Sequence, residues 1–234
     1  PEKDPRVPER EAALPERLAR VAPPDPRHRH EIAHLGVPRG GRERGPDPVP
    51  GGRGEDDVRG EWAPSREDRR VEGGADEKGG GEGHDWLYGG TGRDVIGGGP
   101  GNDYLDAWEG DDVASGGWGR DTVIGGDGND TLAGGYDPDI VYGGTGDDSI
   151  GGGTGNDTVA GGEGADAVFG GQGDDVVEGG AGDDSLSGDR GNDSLAGGAG
   201  DDVFVFNIGG GADVIVDFAT GDVLQIQGGI NGLD

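Results

Sequence analysis

From Gly80 to Val205 the chain repeats itself every nine residues, fourteen times in succession, without an insertion. The period is plain in GGEGHDWLY from Gly80, GGTGRDVIG from Gly89, GGPGNDYLD from Gly98 and GGDGNDTLA from Gly125, and the last copy, GGAGDDVFV, begins at Gly197. The sixth position is Asp in every copy. The first is Gly except at Ala107, the second except at Trp108 and Asp189, and the fourth except at Asp137. The eighth is apolar throughout, from Leu87 and Ile96 to Leu195 and Phe204. A strict short period of this kind constrains the fold to a stack of like units, each too small to bury its apolar residue alone.

Within each unit the first six residues are turn-formers. Glycine at positions one, two and four is expected to permit positive φ and to let backbone carbonyls turn inward. The last three residues read as a minimal strand whose central, eighth-position side chain points into the interior. Disorder does not account for an apolar residue at every eighth position, so the array is not a solvated acidic tract.

Composition sharpens the argument. Gly makes up 58 of 234 residues and is periodic, while only 29% of residues are hydrophobic, so a large conventional core is excluded. There is no Cys, which rules out disulfides, thiolate metal sites and cysteine catalysis. No apolar run is long enough to span a membrane. The net charge of −30 is unevenly placed. Residues 1–79 carry 16 basic and 18 acidic side chains, and residues 80–234 carry 3 and 31. Nucleic acid is therefore excluded as a partner of the repeats, because phosphate backbones need cationic faces; the natural partner is a cation.

On these residues the array resembles the hemolysin-type calcium-binding repeat of the repeats-in-toxin family, whose unit is G-G-x-G-x-D-x-U-x. The resemblance implies an all-β fold, a right-handed parallel β-roll in which two repeats make one coil, so that fourteen repeats give seven coils. Repeats two apart then lie above one another, and each ion sits between two such loops. It takes carboxylate oxygens from sixth-position Asp residues and carbonyls from the turns, a hard-oxygen set that suits calcium rather than zinc or copper. One edge is expected to use Asp85, Asp103, Asp121, Asp139, Asp157, Asp175 and Asp193, and the other Asp94, Asp112, Asp130, Asp148, Asp166, Asp184 and Asp202. Seven loops leave six gaps on each edge, an upper limit of about twelve calcium ions. The fifth-position carboxylates Asp111, Asp147, Asp174, Asp183 and Asp201 are read as solvated. The repeat at Ala107, which lacks both leading glycines, and the repeat with Asp137-Pro138 are expected to hold the weakest sites.

The flanks differ from the array. Residues 1–79 are rich in Arg, Pro and Glu and are expected to be disordered; their bias would equally suit sequence read upstream of a true start. After the run VFVF at 203–206, which closes the array, residues 206–234 contain the short strand-like runs VIVDF and VLQIQ, which suit a C-terminal cap, truncated before any longer tail. In the N-terminal segment His30-Glu31-Ile32-Ala33-His34 matches the zinc-protease motif HExxH. Val37 and Gly40 stand where the longer metzincin pattern needs Gly and His, and the chain has no Met for a Met-turn. A zinc protease through His30 and His34 is therefore the weaker alternative. The chain reads as a calcium-binding module of a secreted bacterial protein, structural rather than catalytic, with calcium and an export machinery as partners. The remaining alternative is the C-terminal repeat region of a larger secreted protease, lipase or polysaccharide-modifying enzyme.

Overall fold

The computed structural model describes residues 74–227, together with the two-residue strands Asp57–Val58 (β1) and Arg69–Arg70 (β2). Among the described residues all regular structure is β. The chain winds as a parallel β-solenoid, placing successive strands alternately in two sheets. The first sheet follows β1 with β3 (Glu77–Gly79), β5 (Val95–Pro100), β7 (Val113–Trp118), β9 (Thr131–Tyr136), β11 (Ser149–Thr154), β13 (Ala167–Gln172), β15 (Ser185–Arg190), β17 (Val203–Asn207) and β19 (Val223–Gln227). The second follows β2 with β4 (Trp86–Thr91), β6 (Tyr104–Glu109), β8 (Thr122–Asp127), β10 (Ile140–Thr145), β12 (Thr158–Glu163), β14 (Val176–Ala181), β16 (Ser194–Ala199) and β18 (Val214–Ile215).

Through the array each residue pairs with the one 18 positions on, as Val141 with Val159 and Ile150 with Val168. Two nonapeptides therefore make one coil, as the resemblance implied. At the C-terminal end the step lengthens to 20, with Leu195 on Ile215 and Phe204 on Leu224, so a two-residue insertion is absorbed without loss of register. The roll also extends beyond the fourteen repeats at its start, because β3 pairs with β5 in the same register.

The strands are longer than the three residues expected. Each has six residues through most of the array, because positions seven to nine run on through positions one to three of the next repeat. The leading glycine pair is thus part of the sheet rather than of the turn, and its two members are required for different reasons. Second-position Gly144 has φ +125°, and an added Cβ would stand 2.0 Å from the carbonyl oxygen of Gly126 one coil earlier. First-position glycines, contrary to expectation, do not occupy the left-handed region. They are needed for space, as the site geometry shows. Where the second- or fourth-position glycine is replaced, the backbone keeps its positive φ, at Trp108 (86°), Asp137 (73°) and Asp189 (65°). For Trp108 this is a costly conformation.

The core is a single file. All fourteen eighth-position side chains from Leu87 to Phe204 are buried, between the two sheets. Beyond Phe204 the ring of Phe218 packs 6.0 Å away and Ile215 is partly buried against the file, while Leu224, which pairs with Phe204, is 54% exposed. At the other end the file continues not with an apolar residue but with Lys78, paired with Ile96.

A file one residue wide cannot repack around a void. Leu186→Ala, in mid-sheet and fully buried, is expected to destabilise the folded roll by about 2–5 kcal/mol. Denaturant melts of the calcium-loaded protein, compared with Ser185→Ala on the outer face, check this.

Candidate metal centre

Each sixth-position Asp ends the turn and enters the strand, and its two carboxylate oxygens have separate environments. Oδ1 accepts the backbone N–H of the corresponding Asp one coil earlier. Asp130 N–H donates to Asp148 Oδ1 and Asp148 N–H to Asp166 Oδ1, each at 2.8 Å. The same bond recurs on the other edge, from Asp121 to Asp139 and from Asp139 to Asp157, also at 2.8 Å. The carboxylates thereby tie each coil to the next along both edges. Fifth-position side chains form a second, exposed ladder in the opposite sense. There Asn129 N–H donates back to Asp111 Oδ1 and Ala165 N–H to Asp147 Oδ1, which gives these solvated side chains a structural task.

Oδ2 is different. It is buried and has no hydrogen-bond partner at Asp85, Asp94, Asp103, Asp112, Asp121, Asp130, Asp139, Asp148, Asp157, Asp166, Asp175, Asp184, Asp193 and Asp202. Buried polar atoms are ordinarily paired, so fourteen orphans at equivalent positions form rows of acceptors that a cation would satisfy. The structure brings all fourteen sequence-predicted residues into two rows, on the edges assigned to them.

At eleven of the fourteen a backbone carbonyl oxygen stands beside the orphan. At first-position Gly143, an added Cβ would stand 2.3 Å from Asp148 Oδ2 and 2.4 Å from the carbonyl oxygen of Gly161 in the next coil. At Gly98 the corresponding distances are 2.5 Å to Asp103 Oδ2 and 2.4 Å to Gly116 O. The bare Cα is what leaves these oxygens their room. Ala107 is the exception in the array. Its methyl is fully buried and belongs to the apolar cluster of the interior.

Three residues outside the fourteen join the rows. Asp76 N–H donates to Asp94 Oδ1, and Asp76 Oδ2 is another buried orphan. Asp213 and Asp222 accept from the N–H groups of Asp193 and Asp202, each at 3.1 Å. Asp76 lies nine residues before Asp85, a signal masked by Val71 and Glu72 at the glycine positions. Asp213 is legible, because Gly211-Ala212-Asp213-Val214-Ile215 keeps the end of the repeat pattern after a two-residue shift; Asp222 is hidden by that shift.

Electrostatics give the rows their character. Burial pushes the carboxyl of Asp148 up to about 7, with the N–H of Asp130 opposing and Asp130, Asp166 and Asp147 adding repulsion. Asp139, Asp175 and Asp184 are likewise pushed up to about 7, first by burial. Asp103, Asp112, Asp130 and Asp193 reach about 6 for the same leading cause. Without a counter-ion, the desolvation penalty and their neighbours' charge disfavour the charged form of these carboxyls.

The residues fit calcium. Every available donor is a hard oxygen, and none is nitrogen or sulfur. Among the described residues no three acidic or histidine side chains converge at one point, so an ion here must take much of its coordination from backbone carbonyls, which the turns bring to the same edges. The candidate zinc ligands His30 and His34 lie outside the described residues. No helix among the described residues is long and apolar enough to cross a membrane.

The model of the RTX calcium-binding nonapeptide repeat, four copies long, matches the chain over 79–114, 115–150, 142–177, 151–186, 169–204 and 178–215. These windows together cover residues 79–215, more than half of the chain. A comparison with curated proteins finds no match.

Two expectations follow from the geometry. Gly143→Ala should raise the calcium midpoint of folding markedly, whereas Gly151→Ala, whose Cβ would meet nothing within 4 Å, should leave it nearly unchanged; parallel calcium titrations check the pair. The second concerns pH. Because the folded carboxyls titrate near 6–7, above their unfolded value, bound protons stabilise the metal-free roll. That contribution is fully present below about pH 4 and is lost as pH rises through about 7. Calcium needs the same groups deprotonated. The calcium midpoint, followed by circular dichroism, should therefore be higher at pH 6 than at pH 8.

Proposed function

The chain belongs to the RTX calcium-binding nonapeptide repeat family, whose repeats bind calcium, and from that premise we propose that its roll is a calcium-dependent structural module of a secreted bacterial protein. The observation that carries this reading is the row of buried, unpartnered Oδ2 atoms along each edge. Parallel strands stack at roughly 4.8 Å. At that spacing two carboxylates repel by roughly 1–3 kcal/mol, between the dielectric of water and that of a protein surface. The apolar file, one side chain per nine residues, is too thin to offset this together with the entropy of ordering glycine-rich backbone.

Calcium reverses the sign of the edge energetics. Ions held between successive loops convert the sixth-position carboxylates from Asp85 to Asp202 into ligands, and binding energy becomes folding energy. The fourteen repeats would hold at most about twelve ions. The module's work is to become a stiff rod where calcium is plentiful and to remain unfolded where it is scarce. That difference is what distinguishes the outside of a cell from its interior, and it suits a chain that must be exported before it folds. The role is one of scaffolding rather than catalysis.

Circular dichroism tests the reading. β-structure should appear at millimolar calcium and disappear in excess chelator, and magnesium should not substitute, since it demands tighter octahedral geometry and dehydrates reluctantly. Equal β-content in chelator would refute it. Sharing of ions between loops makes a further distinction. Asp148→Ala removes a ligand from two gaps and should shift the calcium midpoint more than Asp85→Ala, which lies at the start of its row. Equal shifts from the two variants would point instead to independent loops.

A further inference from the structure

Lys78 stands in the interior file, nine residues before Leu87, at the position that is apolar in each of the fourteen repeats. Its side chain is only 3% exposed. The ammonium donates to the carbonyl of Tyr88 and, at 2.7 Å, to that of Gly89, and it lies 4.0 Å from Asp76 Oδ2.

These acceptors have counterparts in every coil. Around Gly89 itself, the orphaned Asp94 Oδ2 and the carbonyl oxygen of Ala107 stand 2.7 and 2.2 Å from the Cβ position. Around Gly98 they are Asp103 Oδ2 and Gly116 O. In each case the first-position carbonyl lies 13 residues after the Asp whose Oδ2 it faces. Gly89 bears that relation to Asp76. The ammonium therefore approaches the pair of oxygens that, in the other gaps, converge without a cation from the chain itself.

We propose that Lys78 is a tethered cation that takes the place of calcium in the first gap of its edge among the described residues, between the loops of Asp76 and Asp94. This rests on the calcium reading given above. An ammonium brings one positive charge and three donors to a site otherwise made only of acceptors, and its presence does not depend on calcium concentration. The first coil would then be held together before calcium arrives, giving a repeat array, in which each unit contacts only its neighbours, a fixed end from which ordering can propagate. The apolar file is closed at the same point, because the lysine stem continues it while the ammonium reaches the edge.

The experiment counts bound calcium on the full chain by native mass spectrometry at saturating calcium, with circular dichroism as the check on folding. Lys78→Met keeps the stem and removes the charge; it should bind one ion more than the wild type, and combining it with Asp76→Asn should restore the wild-type count. In the wild-type background Asp76→Asn alone should leave the count unchanged, because that gap holds no calcium. This second variant decides the matter if Lys78→Met does not fold. A calcium-loaded wild type whose Lys78→Met variant folds but gains no ion, or whose Asp76→Asn variant loses one, would overturn this proposal while leaving the calcium reading intact. A wild type that binds no calcium would overturn both.

Discussion

The carboxylate at the sixth position of each repeat does two things at once, and the rest of the roll depends on both. Its Oδ1 accepts a backbone N–H from the preceding coil, so the chain is stitched along its edges by side chains as well as along its sheets by backbone. Its Oδ2 is carried by the same bond into a dry position with no protein donor. The stitch and the orphan are inseparable. A residue that made only the first contact, such as Asn, would keep part of the ladder but lose the charge that a cation answers. Room for a cation is in this sense built into the hydrogen bonding of the solenoid.

Glycine enters for reasons that differ by position. At position two it supplies a positive φ within a strand and admits the carbonyl of the coil before. At position one it is needed because a methyl would intrude between a carboxylate oxygen and a carbonyl oxygen. The departures are informative. Asp189 keeps φ +65° at a glycine position, and its Oδ1 accepts from Ser187 Oγ and Asn207 Nδ2, both at 2.8 Å. The side chain thus supplies local bonds in return for the strained backbone. Ala107, at a first position, adds its methyl to the buried apolar cluster.

The two ends of the stack solve the problem of termination differently. At the C-terminal end, residues after the array continue both sheets through β18 and β19, and Phe218 covers Phe204, while Asp217 accepts the N–H groups of Gly197 and Gly198. The file nevertheless ends with Leu224 more than half exposed. Toward the N-terminal end the file reaches a charge, Lys78, the first residue of the file whose side chain is described. An apolar residue there would have lengthened the core and left Asp76 without any cation from the chain; Lys78 does the reverse.

Much of this was legible in the residues. The nine-residue period, the invariant Asp and the apolar eighth position together specified the stack, its interior file and the fourteen carboxylates, because a strict period forces equivalent residues into equivalent places. What the sequence alone could not show was whatever depended on contact between coils. The division of labour between Oδ1 and Oδ2 is a property of residues 18 apart. The spatial reason for first-position glycine is likewise invisible in one repeat, where turn propensity suggested a conformational reason instead. Strand length was underestimated because glycine pairs read as turns, yet in the stack their backbones complete the ladder to the coils on either side. Asp213 showed as the end of the repeat pattern after a two-residue shift, but Asp76 and Asp222 were hidden by local departures from the motif, a pair of missing glycines at one end and that shift at the other. The tertiary structure recovers them because register between neighbouring strands is enforced by every hydrogen bond in the sheet, whereas a pattern in the chain is broken by a single irregularity.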